Sequence, residues 1–114
     1  MKVKINNKNY EVPQLEFGHF VQMEDMGFVV QDILSKGQIM SICTAFVGIV
    51  TGLDREESEN LIQQHILGGG KLSAIMDAFN KAARESNFFR KMMGMEAEEA
   101  PETSAEKEQE KATE

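Results

Sequence analysis

The stretch "QIMSICTAFVGIVTGL", residues 38–53, constrains this chain more than any other. Its residues are apolar nearly all round a helix. A helix of that kind is stable only when neighbours cover every side, so it belongs at the centre of a bundle. It is too short to cross a bilayer, which takes about 20 apolar residues, and Gly48 and Gly52 interrupt it. Gly52 is the expected stop.

The surrounding segments read as the elements that cover it. "KVKI" alternates, so Val3 and Ile5 face one way and Lys2 and Lys4 the other. "NNKN" supplies turn chemistry, because Asn tolerates left-handed backbone. "YEV" resumes the alternation and Pro13 ends it. Residues 1–13 therefore form a β-hairpin, which alone is marginal in water and must dock on helices or on another chain. After Pro13 the period turns helical. Leu15, Phe17, Phe20, Val21, Met23 and Met26 make a broad apolar face that stops at Gly27. "FVVQDIL" gives a short second helix burying Val30, Ile33 and Leu34.

Beyond the central helix, Asp54 with Glu57 three residues on has the form of a capping box. The helix it opens has a wet face of Arg55, Glu56 and Glu59 and a dry one of Leu61, Ile62 and Ile66. A last helix is expected over residues 72–93, from Leu72, Ile75, Met76, Phe79, Ala82, Ala83, Phe89 and Met93 at three- and four-residue spacing. At 1.5 Å per residue it would be roughly 30 Å long.

Net charge separates two regions. The chain of 114 residues carries −7, but eight Glu and two Lys fall within residues 95–114. The first 94 residues hold ten basic and eleven acidic side chains. Residues 95–114 contain no Phe, Leu, Ile or Val, so they cannot bury enough surface to offset ordering entropy, and a disordered acidic tail is expected. The expected fold is mainly α: a small bundle of about five helices over residues 1–94, with the N-terminal hairpin and that tail. The body has no dense basic cluster, so nucleic acid is not an expected partner. No apolar leader and no spanning segment is visible, so neither is a membrane. The single cysteine cannot form an internal disulfide and fits a reducing compartment.

Candidate chemistry is thin. "HILGGGKLSAIMDAF" places a lysine after three glycines at a helix start, which invites a phosphate-loop reading. That loop requires GxxxxGK[ST] after a strand. With Gly70 and Lys71 as the GK pair, His65 stands at the first glycine, Leu72 at the hydroxyl, and a helix precedes. The stretch reads instead as a helix stop and a flexible reversal, with Gly68, Gly69 and Gly70 as a hinge. His19 and His65 lack metal-ligand spacing. Cys43 lies in the apolar helix without a local basic partner and reads as a small core hydrophobe. Glu24 and Asp25 are adjacent and so do not share a helix face. "DREESE" lacks the alternating ligands and the glycine of a calcium loop. No catalytic residue, metal ligand or cofactor is expected, and an enzyme is not.

"SNFFRKMMGM" is more informative. Phe88 and Met92 share one helical stripe and Phe89 and Met93 the next, so a single core cannot take them all. Phe89 alone fits a core edge. The cluster of Phe88, Phe89, Met92, Met93 and Met95 is the candidate partner-binding surface, since Met adapts to varied apolar partners and exposed apolar patches mark interfaces.

The layout resembles the tail assembly chaperones of long-tailed siphophages, especially those of Gram-positive hosts. The similar features are the short hairpin, "MEDMG", the apolar helix followed by "GLDREESENLIQQHILGGG", and most of all "LSAIMDAFNKAARESNFFRKM". The resemblance covers roughly residues 1–93. It implies a non-enzymatic protein of the host bacterial cytoplasm that binds and solubilises the tape measure protein during tail assembly. It further implies the tail tube protein as a second candidate partner and, in many members, a longer product made by ribosomal frameshifting. Self-association is expected. The alternative is a homo-oligomeric helical adaptor or regulator unrelated to tails.

Overall fold

The computed structural model describes residues 1–94. The acidic segment and Met95 lie outside the described residues. Strands β1 (Lys2–Ile5) and β2 (Lys8–Glu11) pair antiparallel, with Lys2 opposite Glu11 and Ile5 opposite Lys8. Only Asn6 and Asn7 form the turn, both with positive φ, as a tight type I′ hairpin requires. The second strand therefore resumes at Lys8, two residues before the alternation suggested. Val3 and Ile5 are buried and Lys2 and Lys4 are exposed, as the alternation requires.

Six helices follow: α1 (Phe17–Asp25), α2 (Val30–Ser35), α3 (Ile39–Thr51), α4 (Arg55–Leu67), α5 (Leu72–Glu85) and α6 (Asn87–Met92). The wholly apolar α3 is the hub. It packs against α1, α2, α4, α5 and β2, and residues 42–48 are all buried. The hairpin docks by β1 on α5 and α4, which answers its need for a surface to cover it. α4 begins as its sequence indicates: the Glu57 N–H donates to Asp54 Oδ1 at 2.8 Å, and the Asp54 N–H donates to Glu57 Oε1 at 3.2 Å.

The expected helix over residues 72–93 is two helices. Ser86 leaves helical geometry at φ −96° and ψ 114°. Its side chain is fully buried; the Oγ–H donates to the Leu15 carbonyl at 2.6 Å, and Oγ accepts the Phe89 N–H at 3.0 Å. A serine that caps the following turn while holding a segment 71 residues away outweighs the apolar periodicity that runs through it. This break accounts for six helices where about five were expected.

Candidate functional site

The break at Ser86 sorts the Phe and Met cluster. Phe89 turns inward and is buried in the core, so it leaves the expected partner surface. It stacks on Phe20 at 5.8 Å and meets Phe79 edge-on at 6.1 Å, and Phe79 in turn meets Phe46 at 5.6 Å. Phe88 is half-buried and lies 5.9 Å from both Phe17 and Phe20. Six phenylalanines thus form a ladder from Phe17, 67% exposed, to Phe46 at the centre. Such edge and offset contacts each add about 0.5–1.5 kcal/mol beyond area burial.

At the outer end of the ladder lies a groove of about 480 Å³ between α1, α2 and α6. Phe17, Phe20, Val21 and Glu24 line it from α1. Their spacing of three, one and three residues is a single helical stripe. Val30, Gln31, Leu34 and Ser35 line it from α2, and Met92 and Met93 from α6. Phe17, Val21, Met92 and Met93 remain exposed. The structure therefore brings Met92 and Met93 together with α1 residues that the periodicity assigned to a buried face. The signal for Phe17 and Val21 was the breadth of that stripe: six apolar residues from Leu15 to Met26 exceed what one helix can press into one core. Among the described residues, Glu24 is the groove's only charged lining residue.

The three glycines form a pinned turn rather than a hinge. Gly69 has φ +100°. The Gly69 N–H donates to the Ile66 carbonyl at 3.0 Å and the Gly70 N–H to the His65 carbonyl at 2.8 Å, the paired bonds of a Schellman stop. His65 is buried and lies against Gly70, where an added Cβ would come within 2.3 Å of its ring. Its Nδ1 accepts the Asn6 N–H at 2.8 Å. The ring proton then sits on Nε2, which faces the Lys71 carbonyl at 3.1 Å. One imidazole fastens the hairpin turn, the end of α4 and the approach to α5, so the loop has bonds where a hinge needs freedom.

The remaining candidates are structural. The Cys43 thiol is fully enclosed, and burial pushes its pKa up to about 11, so it is protonated and unreactive near neutrality. The His19 Nδ1 accepts the Glu16 N–H at 3.0 Å at the start of α1. Among the described residues no cluster of three or more His, Cys, Asp or Glu could hold a metal ion. Among them, too, no helix is long and apolar enough to cross a membrane.

What the fold and groove define is a small helical domain with an open, largely apolar trough between α1, α2 and α6. Comparison with protein-family models, with curated proteins and with solved structures finds no match to this chain.

Proposed function

We propose that the chain is a non-enzymatic tail assembly chaperone that binds the tape measure protein and keeps it soluble in the host bacterial cytoplasm. The observation that carries this reading is the open groove between α1, α2 and α6, with Phe17, Val21, Met92 and Met93 exposed along it. Its walls are two helical stripes, which suits an amphipathic helix laid between them with anchors at three- and four-residue spacing. Methionines at one side let the trough accept differing side chains from successive stretches of one long client. The sequence resemblance supplies the identity of that client, with the tail tube protein as a second candidate. The acidic residues 95–114 follow directly on α6 and give the loaded complex a charge that opposes aggregation.

Phe17 and Met92 are partly exposed before binding, so covering each contributes about 1–2 kcal/mol. Replacing both with Ser weakens client affinity about 30- to 700-fold. The test is co-expression with the tape measure protein. The client stays soluble with the wild-type chain and precipitates with the Phe17→Ser/Met92→Ser double variant, whose own melting falls by only the several degrees that loss of the Phe17–Phe88 contact entails and stays well above the assay temperature. Equal client solubility with and without the chain would refute the reading.

A further inference from the structure

A second apolar surface lies on different elements. The N-terminal turn of α3 and the C-terminal turns of α4 flank a groove of about 420 Å³. Met40 is 76% exposed on one side and Leu67 71% exposed on the other, with Ile39 and Ile66 exposed beside them. The α4 periodicity assigned Ile66 to a dry face; the structure leaves it 46% exposed, while Ile62 and His65 are buried. Met40, Ile66 and Leu67 line this trough, with Ile39 exposed next to Met40 in the chain, a patch of the kind soluble domains reserve for a partner.

We infer that this α3/α4 face is a two-fold interface between two copies of the chain. It locates the self-association that accompanies the proposed function and uses none of the residues lining the client groove. A two-fold interface must contain its own complement, because the same patch meets itself. This patch does. Met40 and Leu67 protrude, and the trough between them is floored by Phe28, Ile62 and Leu72, so the protruding side chains of each copy have a recess in the other.

The charges point to the same occupant. The trough's charged lining residues are Arg55 and Glu59, paired at 3.6 Å. Arg55 is further held over the Phe28 ring at 4.2 Å. One cation and one anion make a neutral rim that offers nothing to a strongly basic or acidic guest. Because the pair is neutral, a second copy of the same rim meets no net like charge there. The body of the chain is also nearly neutral, ten basic against eleven acidic side chains over residues 1–94. Residues 1–94 of two copies therefore approach through α3 and α4 without strong mutual repulsion.

The test is the mass of the full chain in solution, by sedimentation equilibrium from low to several hundred micromolar. The wild type reaches twice the monomer mass. Met40→Glu/Leu67→Glu stays at the monomer mass at every concentration, with unchanged helical circular dichroism and melting measured on the monomer. The groove double variant Phe17→Ser/Met92→Ser still dimerises, which separates failure of this inference from failure of the chaperone reading. Hydrogen exchange of the unmodified chain supplies a check free of substitutions: amides of residues 39–41 and 63–67 gain protection with concentration. A wild type that stays monomeric overturns the inference. So does a Met40→Glu/Leu67→Glu variant that dimerises, or protection that rises only on α1 and α6.

Discussion

Ser86→Ala probes the device that makes the groove. The substitution removes one oxygen from a fully buried site. That oxygen serves two groups: the Leu15 carbonyl at 2.6 Å and the Phe89 N–H at 3.0 Å. Losing an N-cap costs about 1 kcal/mol. Depriving a buried carbonyl of its donor costs about 1–3 kcal/mol more. Alanine fills nearly the same volume, so no cavity term is added. The expected loss is about 2–4 kcal/mol from a domain whose total is roughly 5–15 kcal/mol. At about 4–8 °C per kcal/mol for a domain of this size, melting should fall by about 8–32 °C. Thermal and urea unfolding followed by circular dichroism measure it. The same variant should bind client more weakly even below its melting temperature, because Ser86 sets the direction in which α6 carries Met92 and Met93. A melting temperature within a degree or two of wild type would show that α5 and α6 simply fuse without cost. The account of the break would then be wrong.

Phe89→Ala should cost about 3–5 kcal/mol and Phe88→Ala clearly less, in the same urea titration, since the first is core and the second half-exposed; equal losses would deny the sorting of the cluster. Gly70→Ala drives a Cβ into the His65 ring, which cannot move without releasing Asn6 and Lys71, so it should lower stability by about 2–3 kcal/mol. Gly18→Ala, in α1 with open space around it, should raise it by up to about 1 kcal/mol, and a hinge at Gly70 would instead leave melting unchanged. The Cys43 pKa is raised in the folded state from 9.0 to about 11, so the folded chain holds a proton that the unfolded chain loses. The stability this contributes is present below about pH 9 and should fall by about 1.4 kcal/mol per pH unit as pH rises towards 11. Cys43→Ala should remove that component of the slope measured by urea unfolding across this range.

How far the sequence led can be judged residue by residue. The hub position of α3 followed from a run with no polar face, and the faces of β1 from strict alternation. The Asp54 cap followed from a three-residue spacing. Each of these is local, and local patterns are what a sequence displays. The break at Ser86 had a local signal too, a serine followed by Asn, but the apolar spacing from Leu72 to Met93 runs across it. What decided the matter was a bond to Leu15, 71 residues away. The glycine run shows the same limit: the bonds around it include one from the Asn6 N–H to the His65 ring, 59 residues off. The groove lay between these cases. Periodicity found Phe17, Phe20, Val21 and Met92 as apolar, yet exposure depends on how much of the α1 stripe α2 and α6 cover, and that is set by packing.

The ladder of phenylalanines makes the groove and the core one system. α6 is only six residues long, far below the length at which an isolated helix holds itself together in water. It stays folded through the Ser86 cap, the buried Phe89 and the contacts of Phe88 with Phe17 and Phe20. Two of these three anchors look inward, and the third ties α6 to Phe17 and Phe20, which line the groove. A guest helix that covers Phe17 and Met92 therefore buries the outer side of the element that the core holds from within. Because such a guest binds only the folded chain, it adds stability by mass action, about 2.7 kcal/mol when free guest stands at 100 times its dissociation constant. On the proposed reading the domain leaves its trough open at the cost of a weakly held final helix, and a bound client would make good that weakness. Closing the groove with larger side chains at Val21 or Ser35 would steady α6 in the free protein, and it would remove the site that gives the helix its use.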